Sequence, residues 1–90
     1  MINPELCKAQ VHGGIMQGLG SALYEQLLFD KGRPLNNDFV DYKIPTATDT
    51  PEMDVTLLET SPQIDGPFGV KGIAEPTMVP TAPAIANALY

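Results

Sequence analysis

The residues best equipped for chemistry lie in the glycine-rich stretch FGVKGIAEP, residues 68–76. This stretch combines a flexible backbone and accessible amides with one base, Lys71, and one carboxylate, Glu75. The neighbours of Glu75 are apolar. Apolar surroundings favour the neutral form of a carboxyl group and make it a useful proton acceptor near neutral pH. The residue types therefore predict an active-site loop, although by composition alone a loop acid or lysine is more often an ordinary solvated charge.

Familiar cofactor and metal motifs are absent from the chain. Lys71 lies between Val70 and Gly72, so the Gly-Lys-Ser/Thr sequence of a phosphate-binding loop is missing. Cys7 and His12 are the only cysteine and the only histidine, and a spacing of five residues on a predicted helix does not suit two ligands on one face. The sequence therefore predicts no metal ligand, no structural zinc and no iron–sulfur centre within these residues.

A long N-terminal helix is predicted upstream of the loop. Asn3, Pro4 and Glu5 favour a helix start, and the helix is expected to extend to about Leu27. One side of this helix is apolar and the other is polar and small. The apolar side consists of Val11, Ile15, Leu19, Ala22 and Leu23, and the polar side of Gln10, Gly14, Gln17, Ser21 and Tyr24.

Four glycines lie within this helix, at positions 13, 14, 18 and 20. Each one costs a helix about 1 kcal/mol relative to alanine, so together they predict that something packs very close to the backbone. Another protein segment or a ligand would both use such a surface. Gln10 and Gln17 lie on the same face, where their amides could bond a polar cofactor or the backbone of another segment.

Short elements and loops are predicted for the rest of the chain. Residues 27–35 predict two strands around a glycine turn, residues 39–44 a short extended piece, and residues 54–59 the clearest strand. Prolines and glycines between residues 60 and 80 exclude a long helix or a central strand, and a final helix is expected from Thr81. The predicted fold class is α+β, with a long N-terminal helix, short strands and a hairpin, a long Gly/Pro-rich active-site loop and a C-terminal helix.

Length and charge limit the function classes. Ninety residues suffice for one small domain at most and are too few to enclose a large organic cofactor. A formal net charge of −6 predicts that the chain does not bind nucleic acid. No basic leader and no run of about 18 apolar residues occurs, so a cytoplasmic protein without a membrane partner is expected. Both ends look cut, because the chain begins at a helix start and ends within a helical pattern.

Four sequence blocks follow one another along the chain: Asn3-Pro4, Gln10–Gly20, Asp41–Thr46 and Gly66–Pro76. In order and spacing they resemble the last stretch of the molybdopterin-binding large subunit of the xanthine dehydrogenase and aldehyde oxidase family. Four ordered blocks are far more specific than any single motif. The resemblance spans nearly all of the chain, so residues 1–90 are expected to be the C-terminal part of a larger molybdenum-cofactor-binding domain.

The resemblance implies hydroxylation of an aldehyde or an N-heterocycle with water as the oxygen source. The catalytic glutamate of the family falls on Glu75, which would act as general base toward the oxygen that attacks the substrate carbon. The pterin-contacting glutamine falls on Gln10, and the backbone of Lys71 and Gly72 would border the cofactor. The implied cofactors are molybdenum-molybdopterin in the complete subunit and iron–sulfur clusters, with FAD as a further candidate, on partner domains or subunits.

Members of the family are many times longer than this chain. The expected partners are therefore the remainder of the molybdopterin subunit, an iron–sulfur subunit and, as a further candidate, a flavin subunit. The chain alone is not expected to be active, and its open apolar face predicts self-association when it is isolated. The alternative is a non-catalytic interaction or structural module, or a truncated remnant of such an enzyme.

Overall fold

A computed structural model describes all 90 residues of the chain. Its helices are α1, Pro4–Leu23, and α2, Thr81–Leu89, and its strands β1, Phe29–Asp30, and β2, Arg33–Pro34, form one antiparallel hairpin. Single 3-10 turns occur at Ala47–Asp49, Pro67–Gly69 and Glu75–Thr77. Two helices and a two-stranded sheet agree with the predicted α+β elements. Neither helix combines the length and the apolar character that crossing a membrane requires.

Helix α1 begins where the sequence predicts it. The Asn3 side chain accepts a hydrogen bond from the backbone N–H of Leu6 at 3.1 Å, and Pro4 occupies the first helical position. The helix ends at Leu23 rather than near Leu27. The backbone N–H groups of Tyr24 and Glu25 both donate to the Gly20 carbonyl, at 3.0 and 2.9 Å, so the last turn widens and the chain leaves the helix axis.

The face of α1 that packs most closely is the glycine face. Gly14, Gly18 and Gly20 are the buried residues of this helix, whereas Val11 and Ile15 on the apolar side are only half-buried. The apolar side of α1 is therefore not the side that this chain covers most closely. The turn at Glu75–Thr77 and the start of α2 lie against Gly14 and Gly18, and Pro45 lies against Gly20, so the wider apolar side has no covering layer in this chain.

The predicted hairpin is confirmed over a shorter span. Phe29 pairs with Pro34, Asp30 pairs with Arg33, and the two turn residues 31 and 32 have φ values of 47° and 82°. Two positive φ values in a two-residue connection are those of a type I′ turn, which matches the twist of the flanking strands. Asn36, only 9% exposed, supports the hairpin base through bonds from the Leu28 N–H at 2.8 Å and to the Gln26 carbonyl at 2.7 Å.

Two predicted extended segments do not appear as paired strands. Residues 39–44 include a turn, because the Asp38 carboxylate accepts bonds from the N–H groups of Val40 and Asp41 at 2.9 and 3.3 Å. Residues 54–59 belong to no sheet, since no other segment of the chain lies beside them as a strand. The residues of these segments favour strands, but no second strand of this chain pairs with them to form a sheet.

The chain has no apolar core of its own. None of its hydrophobic residues is buried, and eighteen large hydrophobic side chains are exposed. The accessible surface is 7303 Å², whereas a compact protein of 9.7 kDa would expose about 5,100 Å². The radius of gyration is 16.7 Å, against about 12 Å for a compact domain of this length. The chain is therefore more extended and more exposed than a compact domain of its length.

Candidate functional site

Glu75 lies at the start of the 3-10 turn that precedes α2. The turn is closed by the Thr77 N–H, which donates to the Ala74 carbonyl at 3.2 Å, and by the Met78 N–H, which donates to the Glu75 carbonyl at 2.9 Å. The Glu75 side chain is exposed and takes part in no ion pair. Its sequence neighbours do not enclose it, so the apolar environment predicted for this carboxylate is not formed by this chain.

The Glu75 turn is seated on α1 through Thr77. The hydroxyl of Thr77 lies 2.7 Å from the Ala74 carbonyl oxygen and 3.5 Å from the Gln10 carbonyl oxygen. A Cβ placed on Gly14 would overlap the same hydroxyl and would lie 2.8 Å from the Thr77 Cβ. The glycine is therefore required for this approach. Of the two explanations for the glycines of α1, close packing of another protein segment accounts for Gly14, and a ligand is not needed to explain it.

A second glycine repeats this arrangement one turn along the helix. A Cβ on Gly18 would lie 2.6 Å from the Thr81 Cβ and 2.9 Å from the Met78 carbonyl oxygen. Gly14 and Gly18 thus form a groove four residues apart that holds the turn and the start of α2. The spacing of the glycines in the sequence indicated that another group approaches the helix backbone closely. It did not identify Thr77 and Thr81 as the residues that occupy the groove.

Gln10, the predicted pterin-contacting residue, is exposed on α1. Its backbone carbonyl faces Thr77, and its side-chain amide makes no hydrogen bond within the chain. The structure therefore brings the backbone of Gln10 within hydrogen-bonding distance of a residue two positions after Glu75. The free amide has donors and an acceptor available to a ligand.

Lys71 and Gly72 lie at a separate place, on an open cleft of ≈ 760 Å³. Three stretches of chain line this cleft: the first residues, residues 57–62 and residues 68–73. Phe68 and Gly69 have φ values of 56° and 70°, and the Gly69 carbonyl accepts a bond from the Gln63 N–H at 2.9 Å. Neither Gln10 nor Glu75 lines the cleft. The chain therefore places the four predicted residues in two groups.

A polar network joins the end of α1 to the block that begins at Asp41. The Tyr42 hydroxyl donates to the Glu25 carboxylate at 2.7 Å, and this bond, with partial desolvation and the nearby negative charge, raises the pKa of Tyr42. The hydroxyl and the backbone N–H of Thr46 both donate to Asp49 at 2.7 Å, and these two bonds lower the pKa of Asp49. A Cβ on Gly20 would lie 2.9 Å from Pro45 of the same block.

The exposed groups are suited to a polar cofactor that other residues complete. The Lys71 ammonium has no ion-pair partner, the Gln10 amide is free, and no atom lies within 4 Å of the position of a Cβ on Gly72. No group of three His, Cys, Asp or Glu side chains lies close enough together to hold a metal ion. The chain can therefore contribute donors and one carboxylate to a molybdopterin site, but it does not offer a set of metal ligands.

The first half of the chain matches a known family model. The profile of the molybdopterin cofactor-binding domain matches residues 1–51. The chain belongs to this family, within the xanthine dehydrogenase group of molybdenum oxidoreductases, whose cofactor is molybdenum-molybdopterin.

Particular relatives cover nearly the whole chain. It is 38% identical to the 6-hydroxypseudooxynicotine dehydrogenase complex subunit gamma of Paenarthrobacter nicotinovorans, over 99% of this chain and 11% of that protein. It is 39% identical to a putative xanthine dehydrogenase molybdenum-binding subunit of Escherichia coli K12, over 99% of this chain and 12% of that protein. The crystal structure of quinoline 2-oxidoreductase from Pseudomonas putida 86 superposes with a TM-score of 0.86 at 37% identity, over 94% of this chain and 11% of that chain. The chain thus spans about one ninth of the length of these relatives.

Proposed function

We propose that residues 1–90 are a segment of the molybdopterin-binding subunit of a molybdenum hydroxylase and that Glu75 is the general base of the reaction. The observation that carries this proposal is the seat of the Glu75 turn. An exposed carboxylate begins a turn that is fixed on the glycine groove of α1, beside the backbone of Gln10. The chain's membership of the molybdopterin cofactor-binding family supports a catalytic role for this carboxylate.

In the proposed reaction, a carbon of an aldehyde or an N-heterocycle is hydroxylated. When bound, the molybdenum cofactor supplies the two-electron oxidation, with water as the source of oxygen. A carboxylate oxygen of Glu75 accepts the proton that the attacking oxygen loses. The Thr77 hydroxyl, bonded to the Ala74 carbonyl, restricts the backbone from which the Glu75 side chain extends. The remainder of the subunit would supply the apolar surroundings that this chain does not provide.

The cofactor contacts are assigned to the free donors of the chain. The Gln10 amide would hydrogen-bond the pterin, and the backbone of Lys71 and Gly72 would border it. These groups lie at two places on the chain, so a cofactor that reaches both would lie across α1 and the cleft. A molybdopterin is large enough to need walls from other segments, which agrees with the absence of an enclosed pocket here.

The partners belong to the same proposal. The large exposed apolar surface supports burial against the rest of the subunit. Iron–sulfur and flavin partners would take the electrons onward, as the subunit names of several relatives indicate complexes of more than one chain. The isolated chain is proposed to self-associate through the same apolar surface.

The test compares two carboxylates of one loop in the complete subunit. Glu75→Gln removes the base with little change of shape, and general base catalysis is typically worth 10²–10⁴-fold, so turnover is expected to fall by about that factor. Molybdenum and pterin content should stay near that of the unmodified protein. Asp65→Asn, an exposed acid of the same loop, serves as the matched control and should leave turnover unchanged.

The outcomes separate the enzyme from a non-catalytic module. Full turnover in the Glu75→Gln protein would refute the role of this residue. A complete subunit that contains residues 1–90 but binds no molybdenum or pterin would favour the interaction or structural module.

A further inference from the structure

The segment from residue 53 to residue 58 has the pattern of a β-strand without a neighbour. Positions 53, 55 and 57 are half-buried, and positions 54, 56 and 58 are exposed. This alternation has the period of two that an extended chain produces. Thr50, just before the segment, has φ −73° and ψ 115°, in the extended region. The composition also fits, because Val55, Thr56 and two leucines favour strands.

The backbone of this segment is unpaired on both edges. From residue 51 to residue 62, no backbone N–H or carbonyl group forms a hydrogen bond with any other group of the chain. The backbone that follows does form such bonds, since the Gln63 N–H donates to the Gly69 carbonyl at 2.9 Å. A row of free donors and acceptors along an extended segment is a template for a further strand.

We propose that residues 53–58 form a β-strand by pairing with a strand from the part of the subunit that lies outside these 90 residues. This inference rests on the proposed function only in treating the chain as a segment of a larger subunit. Most of the polypeptide available for pairing lies there, since the relatives are about nine times longer. The chain exposes about 2,200 Å² more surface than a compact protein of this mass, and this surface is available for contact with that polypeptide.

Charge favours pairing with a strand from the rest of the subunit over pairing with a second copy of the chain. Glu52 and Asp54 lie on the exposed face of the segment and take part in no ion pair. In a parallel pair of two copies, each acid would lie opposite itself, and like charges on opposite strands are destabilising. Each copy also carries a net charge of −6. A strand with Lys or Arg opposite Glu52 and Asp54, and with β-branched residues between them, is complementary.

The open cleft lies alongside the strand and extends the surface. Leu57 and Leu58 line it together with Phe68, whose side chain is 89% exposed, and Ile2. Apolar side chains of the added strand or of the residues next to it would fill this space and bury these side chains. The same surface therefore offers backbone pairing and apolar contact.

Hydrogen exchange of the complete subunit and of the isolated chain tests the proposal. Amides of residues 53–58 should exchange at least about 100-fold more slowly in the complete subunit than in the isolated chain. Val55→Pro and Thr56→Pro each remove one N–H, on opposite edges of the strand, so at least one of them should cancel this protection. Ser61→Pro, also in the unpaired stretch but outside the strand, is the control and should leave it unchanged.

Two results would overturn the proposal. One is a complete subunit that holds its molybdenum while residues 53–58 exchange as fast as in the isolated chain. The other is protection of the isolated chain that increases with its concentration, because a second copy would then be the occupant. Both differ from failure of the proposed function, which is decided by turnover in the Glu75→Gln protein, where the strand should stay protected.

Discussion

Replacement of Gly14 by alanine tests the seat of the Glu75 turn. Alanine normally stabilises a helix by about 1 kcal/mol relative to glycine. At position 14, however, the new Cβ would overlap the Thr77 hydroxyl and lie 2.8 Å from the Thr77 Cβ and 3.1 Å from the Met78 N–H nitrogen. The Met78 backbone is part of this contact and cannot rotate away as a side chain could, so the whole turn must move. Overpacking of this kind typically costs about 1–3 kcal/mol.

Gly13→Ala is the matched control, since no atom lies within 4 Å of its Cβ position. Both changes gain the same helix propensity, so the difference between them isolates the contact. Gly13→Ala should raise the free energy of unfolding by up to about 1 kcal/mol, and Gly14→Ala should be less stable than it by about 1–3 kcal/mol. The assay is urea unfolding followed by circular dichroism at 222 nm. In the complete subunit, Gly14→Ala should also lower turnover, whereas Gly13→Ala should not.

A double variant identifies the contact itself. Removing the Thr77 hydroxyl with Thr77→Ala takes away the nearest atom, so Gly14→Ala should cost less in that background, and the two changes should not be additive. Equal stability of the Gly13→Ala and Gly14→Ala proteins would refute the proposed seat. So would full additivity of the double variant.

Three further predictions concern the polar contacts. Tyr42 should ionise above pH 10.0, its ordinary pKa, in an absorbance titration at 295 nm, and Glu25→Gln should lower the pKa toward that value. Because the folded-state pKa is raised, this contribution to stability is present below pH 10 and is lost as pH rises through the raised pKa. Asp49 has a lowered pKa, so its contribution is present above its ordinary value of 3.8 and is lost as pH falls through the lowered pKa; Thr46→Val should move the Asp49 carboxyl titration, followed by NMR, back toward 3.8. Asn36→Ala should destabilise the hairpin base by about 1–3 kcal/mol, because the Leu28 N–H and the Gln26 carbonyl lose their partner, and amide exchange at Leu28 should accelerate.

The elements that are stabilised by contacts between neighbouring residues could be predicted from the sequence. The Asn3 cap, the Lys31-Gly32 turn and the start of α2 are determined by residues within a few positions of each other, and the structure has all three. The end of α1 could not be located in this way. The helix ends where the N–H groups of Tyr24 and Glu25 share the Gly20 carbonyl, and the Glu25 carboxylate there is bonded to Tyr42, seventeen residues away.

The candidate site shows the same division. The glycines of α1 indicated a close contact, but the identity of the contacting residues depends on Thr77, which lies 67 residues from Gln10. The family resemblance was needed to single out Glu75 in the sequence, because its side chain is exposed and forms no ion pair in this chain. The strand at residues 54–59 could be recognised by composition, but its partner could not, since no segment of these 90 residues pairs with it.

The contacts within the chain explain why so much of its apolar surface is exposed. Helix α1 is approached by Thr77 and Thr81 at two glycines and by Pro45 at a third, so its contacts bring backbone and small side chains together. Such contacts fix geometry but remove little apolar area from water, and burial of apolar area is the main source of folding free energy. The large hydrophobic side chains instead point away from these contacts and remain exposed. The same arrangement that positions the Glu75 turn therefore leaves most of the apolar surface exposed, which supports the proposal that the rest of the subunit covers it.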